Sequence, residues 1–146
     1  FIEKLLLPGT SPPDILLEAI IFIRVVSSDE RASMLFVSNK ILEHIHRIWR
    51  DLTQDNELQF QIVLLLSQLM LHGNTGASIL KTPGMLDQLL KGVGTSCPKL
   101  RHAFDDCKYL ILEFDRHDDG SLGPFGVIVR DRTFLNIVCS SDQKGW

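Results

Sequence analysis

The chain has 146 residues, 45% of them hydrophobic, and a formal net charge of −3. This length suits a single domain, and the hydrophobic fraction is ample for a packed core. A charge so close to neutral argues against nucleic-acid binding and against electrostatic attraction to anionic membranes, since both require concentrated basic surface.

The first predicted elements are the end of a helix and a long apolar helix. Residues 1–7 read as a helix end that Pro8 and Gly9 stop, which indicates a neighbour upstream. A helix follows over residues 15–27, with Ser11 as its N-cap. It is apolar nearly all round, so we expect it to be buried between neighbouring helices. Its apolar run is too short, and too interrupted by charge, to span a membrane.

A short helix and an amphipathic helix complete the first unit. The short helix is predicted over residues 32–37 and the amphipathic one over residues 41–52. One face of the latter carries apolar residues at steps of three and four, namely Ile41, Leu42, Ile45, Ile48, Trp49 and Leu52. The same order then returns, with predicted helices over residues 57–71, 77–81, 85–91 and 99–114. We expect the glycines in residues 72–76 to end the second long helix.

The chain repeats itself with a period in the low forties. Ala32-Ser33-Met34-Leu35 returns 45 positions later as Ala77-Ser78-Ile79-Leu80. Asp14, Glu57 and Lys99 open the three long helices at intervals of 43 and 42 residues. A purely helical repeat of about this length is typical of armadillo and HEAT solenoids. The predicted fold is therefore all-α: an armadillo-like right-handed superhelix of three-helix repeats, which is a form of α-solenoid.

The last part of the chain departs from this regularity. We assign residues 1–115 to the armadillo-like repeats, and residues 116–146 to a Gly-rich loop followed by a short C-terminal capping segment. Residues 127–129 have strand propensity, and residues 134–138 fit either a helix or a strand. We favour two short helices that cap the end of the solenoid.

A segment that resembles the start of a calcium-binding loop follows the third long helix. It runs over residues 115–120 and has His117 at its third position, where a carboxylate or an amide is usual. The twelfth position, which needs a bidentate Glu, is Gly126. A solvated loop is therefore the favoured interpretation, and a metal-dependent or calcium-regulated module that uses residues 115–119 is the alternative.

The cysteines and histidines do not predict a metal site or an enzyme. Cys97 and Cys107 would be about 15 Å apart on one helix, too far to share a zinc ion with His102 or His117. The sequence contains no Gly-x-Ser-x-Gly and no Gly-rich phosphate loop, so we expect no catalytic residues, cofactor or small-molecule substrate. Three cysteines, with Cys139 as the third, favour a reducing cytosol over a disulfide framework.

A solenoid predicts a protein-binding surface instead. In an armadillo stack the third helix of each repeat lines a concave groove, and the long helices occupy this place here. The positions predicted to face the groove are Glu18, Ile21, Val25, Gln61, Leu64, Gln68, Lys99, Asp106 and Leu110. The predicted partner-binding residues are the polar ones at its centre and edges: Glu18, Gln61, Gln68, Lys99 and Asp106. Such a surface suits an amphipathic helix or an extended tail with a few basic residues, although several apolar positions could simply pack against neighbours.

Scattered positions along the chain resemble one family of armadillo proteins. They include Leu17-Glu18-Ala19-Ile20, Gln61-Ile62, and the stretch from Lys99-Leu100-Arg101-His102-Ala103 to Glu113-Phe114-Asp115. This pattern resembles the C-terminal armadillo repeats of the kinesin-associated protein family, the non-motor subunit of heterotrimeric kinesin-2. The resemblance implies an adaptor, without ATPase activity, that binds the kinesin-2 motor tails and links them to cargo. It also implies a place in the cytoplasm, at the cytoskeleton and cilium, in intraflagellar and other microtubule-based transport.

Two departures limit what this resemblance carries over. The segment of residues 118–126 is Gly-rich where the family continues as helix. The Trp and Asn ladder of nuclear-import armadillo proteins is also missing, which disfavours an importin-like role. The alternative function is a general armadillo or HEAT scaffold in adhesion, signalling or GTPase regulation.

Overall fold

The protein is described by a computed structural model that covers residues 2–7, 9, 11–38, 40–52, 54–91 and 97–131. Within these residues the secondary structure is helical, apart from one isolated antiparallel bridge between Arg116 and Leu122. The all-α prediction is confirmed. The helices are α1 (Ile2–Leu6), α2 (Pro13–Val26), α3 (Glu30–Ser38), α4 (Ile41–Asp51), α5 (Asn56–Met70), α6 (Gly73–Lys81), α7 (Met85–Lys91), α8 (Pro98–Phe114) and α9 (residues 124–131).

Different residues form the N-caps of the long helices α5 and α2. At α5, Asp55 is the N-cap, and its side chain accepts a hydrogen bond from the Leu58 amide at 3.0 Å. At α2 the N-cap is Pro12, with no side-chain cap, so the prediction of Ser11 as the cap was wrong. Pro13 at the first helical position fits the backbone of a helix start, and its missing N–H removes one of the donors that have no partner within the helix.

The glycines after α5 have a different role from the predicted one. Gly73 begins α6, and neither it nor Gly76 has a positive φ, so the expectation that they supply a left-handed helix end was wrong. Gly76 is buried, and a Cβ at this position would lie 2.7 Å from the Phe114 ring. The glycine therefore permits close contact between α6 and the end of α8.

The apolar face of α4 packs into the core, as its pattern predicted. All six apolar residues of its predicted face are buried except Leu52, which is partly buried. Trp49 stacks on Phe104 of α8 with ring centroids 5.9 Å apart, and its indole N–H donates to the Gln59 side chain at 3.0 Å. The amphipathic helix of the first unit therefore anchors the third long helix directly.

The three long helices lie side by side, with α5 between α2 and α8. The first turns of α5 and α8 meet where Lys99 contacts Glu57, and further along Ser67 and Cys107 share a hydrogen bond. These two contacts show that α5 and α8 run in the same direction. The handedness and pitch of a superhelix stay predictions.

One side of α2 is exposed, contrary to the expectation that this helix is buried between neighbours. The side chain of Phe22 is 52% exposed, whereas Leu65 and Cys107, at the corresponding places on α5 and α8, are fully buried. The difference arises because α5 covers only one side of α2, and no other long helix among the described residues covers the opposite side.

The segment after α8 forms a structured turn and then α9. The Asp115 carboxylate accepts a hydrogen bond from the Gly126 amide at 2.8 Å, which caps the first turn of α9. Residues 127–129 are therefore helical, as favoured, and the second predicted capping helix lies outside the described residues. The division of the chain at residue 115 stays a prediction. Among the described helices, none combines the length and the apolar character that crossing a membrane requires.

Candidate protein-binding face

The exposed side of α2, α5 and α8 forms one continuous surface, which we call the long-helix face. The contact between Lys99 and Glu57 sets the register of α8 against α5, and the spacings of 43 and 42 residues define which positions correspond on the three helices. The sets of corresponding positions are Asp14, Glu57 and Lys99, then Ile21, Leu64 and Asp106, then Val25, Gln68 and Leu110, and then Ser28, Leu71 and Glu113.

A chain of hydrogen bonds connects the three helices at this face. The Arg24 guanidinium on α2 donates to the Gln61 side-chain oxygen on α5 at 3.0 Å. The Gln61 amide nitrogen donates to the Glu57 carboxylate at 3.3 Å, and the Lys99 ammonium on α8 donates to the same carboxylate at 3.3 Å. This chain of hydrogen bonds therefore links α2, α5 and α8 across the face.

Two residues of this chain of hydrogen bonds, Glu57 and Lys99, carry opposite charges. The pKa of Glu57 lies below its usual value, mainly because of the Gln61 hydrogen bond; burial opposes this shift, and the hydrogen bond and charge of Lys99 lower the pKa further. Lys99 also lies 4.0 Å from the centre of the Phe60 ring, in a cation–π contact. Glu57 is therefore kept ionised, and the positive charge of Lys99 already has two partners within the protein.

Two of the predicted partner-binding residues, Gln61 and Lys99, belong to this chain of hydrogen bonds. Gln61 is only 9% exposed, and both ends of its amide are hydrogen-bonded. Its role at this surface is to position the side chains of Arg24 and Glu57 through these hydrogen bonds. Lys99 is exposed, but its ammonium contacts Glu57.

The other three predicted residues lie at the edges and centre of the long-helix face. Glu18 is exposed on α2, and Gln68 is half-buried on α5. Asp106 is exposed on α8, where its carboxylate lies 3.9 Å from Nε2 of His102. The structure therefore leaves carboxylates accessible on both outer helices.

Sequence reasoning missed Arg24, Phe60 and Leu71 as part of this surface. Leu71 is 61% exposed at the end of α5, beyond the stripe that was predicted to face the groove. A signal for Arg24 was present, because an arginine in an otherwise apolar helix requires a polar partner on a neighbouring element. The identity of that partner, Gln61, depends on how the helices pack.

The loop after α8 uses its carboxylates for internal hydrogen bonds. Asp115 caps α9, and the Asp119 carboxylate accepts from the Ser121 amide at 2.9 Å and from the Ser121 hydroxyl at 2.6 Å. These bonds to Ser121, with a smaller effect of the His117 charge, lower the pKa of Asp119. In the part of the chain that the structure describes, no three acidic, histidine or cysteine side chains cluster as metal ligands do.

In the described residues, the fold and this surface define an all-helical protein compatible with an α-solenoid, with an open face made by three adjacent long helices. The family model for kinesin-associated protein (KAP) matches residues 1–121, and the chain belongs to this family. The match includes α1 to α8 and the first part of the loop that follows. No solved structure matches the chain significantly.

Proposed function

We propose that this chain is a non-catalytic adaptor that binds the tails of the kinesin-2 motor chains and links them to cargo. The observation that carries this proposal is membership of the kinesin-associated protein family, through a match over residues 1–121. The adaptor acts in the cytoplasm, at the cytoskeleton and cilium, in microtubule-based and intraflagellar transport.

An armadillo-like arrangement is part of the same proposal. The long helices recur at intervals of 43 and 42 residues, and α5 and α8 run in the same direction, which supports a right-handed superhelix of three-helix repeats over residues 1–115. Residues 116–146 form its capping segment. Partners contact the long-helix face directly at Glu18, Gln68 and Asp106, while Gln61 and Lys99 stabilise that face through their hydrogen bonds.

The test is retention of the protein on immobilised kinesin-2 motor tails. We expect both tails, presented together as the coiled heterodimer, to retain the protein, while a charge-matched unrelated coiled coil does not. If the tails fail to retain it and a cytosolic partner from adhesion, signalling or GTPase regulation does, the general scaffold replaces the kinesin adaptor.

A further inference from the structure

A groove between the start of α4 and the end of α6 has a lysine from each of the two elements in its lining. We propose that this groove, which we call the α4–α6 groove, binds an acidic segment of a partner protein through a carboxylate held by Lys40 and Lys81. Its described lining residues come from none of the long helices. The proposal therefore goes beyond the proposed function and adds a second partner site, apart from the long-helix face.

The α4–α6 groove has the size of a side-chain site. Its volume is about 250 Å³, below the roughly 300–1,000 Å³ of pockets that enclose small molecules. One wall is a β-turn over residues 82–85, in which the Met85 amide donates to the Thr82 carbonyl at 3.2 Å. Of the apolar lining residues, Leu42 is buried and Pro83 is exposed. These features suit a side chain presented by a protein partner better than a free ligand.

The two lysines supply the charged donors of the groove. The Thr82 hydroxyl donates to the Ser78 carbonyl at 2.8 Å, and the Ser78 hydroxyl donates to the Asn74 carbonyl at 3.1 Å, so both hydroxyl protons are used within the protein. Lys40 and Lys81 are exposed, and among the described residues neither ammonium has a carboxylate within salt-bridge distance. Two ammonium groups that line one small groove attract an anion placed between them.

Lys40 has a backbone conformation that lysine rarely adopts. Its φ is 60°, and in the described part of the chain it is the one non-glycine residue with a positive φ. Gly84, 44 positions later, directly precedes α7 as Lys40 precedes α4, and its φ is 80°. Glycine adopts such a φ without the steric cost that a side chain brings. A lysine at a position that favours glycine points to a role for its side chain.

Glu43 limits the charge that the occupant carries. It is exposed and lines the same groove, so two lysines and one glutamate leave the lining with a charge of +1. A single carboxylate balances this charge, whereas a doubly charged phosphate is repelled by Glu43. The whole chain has a net charge of −3, so its overall charge does not attract an acidic peptide. Binding therefore depends on the local groove.

The experiment measures the binding of a fluorescent peptide in which Glu alternates with Ser. Alternation separates the carboxylates by about 7 Å along an extended chain, so one of them enters the groove at a time. The control peptide has Gln in place of Glu. Fluorescence anisotropy with the full chain should give an affinity at least about fivefold higher for the Glu peptide. Equal affinity for the two peptides would overturn the proposal.

Charge variants then locate the site. We expect Lys40→Gln and Lys81→Gln each to weaken the Glu peptide by about two- to fivefold, because each removes one partly solvated ionic contact. Glu43→Gln should bind it more tightly. Lys91→Gln is the matched control, because it removes one positive charge from an exposed site on α7 outside the groove. Wild-type affinity in both groove variants, or an equal loss in Lys91→Gln, would contradict binding in the groove.

A glycine at position 40 separates the charge of Lys40 from its backbone conformation. Lys40→Gly should be at least as stable in urea as Lys40→Gln, because glycine suits a positive φ. It should nevertheless bind the Glu peptide as weakly as Lys40→Gln does. Wild-type affinity in Lys40→Gly would show that the lysine side chain has no part in binding.

The double variant Lys40→Gln with Lys81→Gln distinguishes this inference from the proposed function. We expect it to lose the Glu peptide and to be retained on kinesin-2 motor tails as well as the wild type is. If the wild type is not retained but the peptide results hold, the adaptor function fails and the α4–α6 groove stands. If the double variant loses the motor tails, the assignment of the groove to a second partner is wrong.

Discussion

The ammonium of Lys99 lies 3.3 Å from the carboxylate of Glu57, although the two residues are 42 positions apart in the chain. Each belongs to the first turn of its helix, so the contact aligns the starts of α5 and α8. Residues that are one sequence repeat apart, 42 positions in this case, therefore lie next to each other on the neighbouring helices α5 and α8. The long-helix face depends on this alignment.

The contribution of this ion pair to stability should be small. Both side chains are about half exposed, so we expect a double-mutant cycle with Glu57→Gln and Lys99→Gln to give a coupling energy of about 0.2–1 kcal/mol. Urea unfolding of the wild type, both single variants and the double variant measures it. The coupling should fall at high salt, and a value above about 2 kcal/mol would contradict the view that solvent screens this pair.

The lowered pKa of Glu57 should depend on both Gln61 and Lys99, with the Gln61 hydrogen bond as the largest single cause and the hydrogen bond and charge of Lys99 as further ones. We expect Gln61→Leu and Lys99→Gln each to raise the pKa of Glu57 toward its usual value. A carboxyl whose pKa is lowered by folding stabilises the protein above its unfolded pKa, and this contribution is lost as the pH falls through the folded value. Carboxyl NMR titration of the wild type and the two variants measures both shifts, and an unchanged Glu57 pKa in Gln61→Leu would refute the role of that hydrogen bond.

Gly76 and Gly73 provide a matched test of packing between α6 and α8. A Cβ at Gly76 would lie 2.7 Å from the Phe114 ring, so Gly76→Ala should destabilise the protein by about 1–3 kcal/mol. Gly73 lies in the same helix with open space around it, so Gly73→Ala should be neutral or stabilising by up to about 1 kcal/mol. Phe114→Leu should rescue part of the loss in Gly76→Ala. Equal stability of the two alanine variants would show that the ring does not restrict this position.

These glycines also show where prediction from sequence ends. The long helices and the core face of α4 could be predicted, because steps of three and four among apolar residues depend only on helix geometry. Gly73 and Gly76 were wrongly predicted to end a helix. The sequence shows that a residue is glycine, but not whether glycine is needed to leave room for a ring or to adopt a positive φ. Only the position of Phe114, far away in sequence, distinguishes the two cases.

The candidate surface could also be predicted only in part: its accessible positions were predicted, and its contacts between helices were not. Helical periodicity placed Glu18, Gln68 and Asp106 on one stripe of each long helix, and they are accessible there. The same periodicity could not show that Gln61 is nearly buried, or that it accepts a hydrogen bond from Arg24 on a neighbouring helix. Contacts between helices depend on tertiary packing, and this information is absent from a single repeat.

Cys107 should be chemically inert in the folded protein. Burial raises the pKa of its thiol to about 11, so very little thiolate is present near neutral pH. In a variant with Cys97→Ser and Cys139→Ser, we expect labelling of Cys107 by a thiol reagent at pH 8 to be limited by unfolding, and to accelerate with urea. A variant that instead retains only the half-buried Cys97 should react faster. Rapid labelling of Cys107 without denaturant would contradict its burial in the core.

The most direct test of the central claim is site-specific photo-crosslinking to the kinesin-2 motor tails. A photoreactive benzoylphenylalanine replaces Leu71, which is 61% exposed at the end of α5 on the long-helix face, and in a control protein it replaces the exposed Glu43 on α4. We predict crosslinks to the motor tails from position 71 and none from position 43. Tails that bind both proteins but crosslink equally from the two positions, or only from position 43, would contradict binding at the long-helix face.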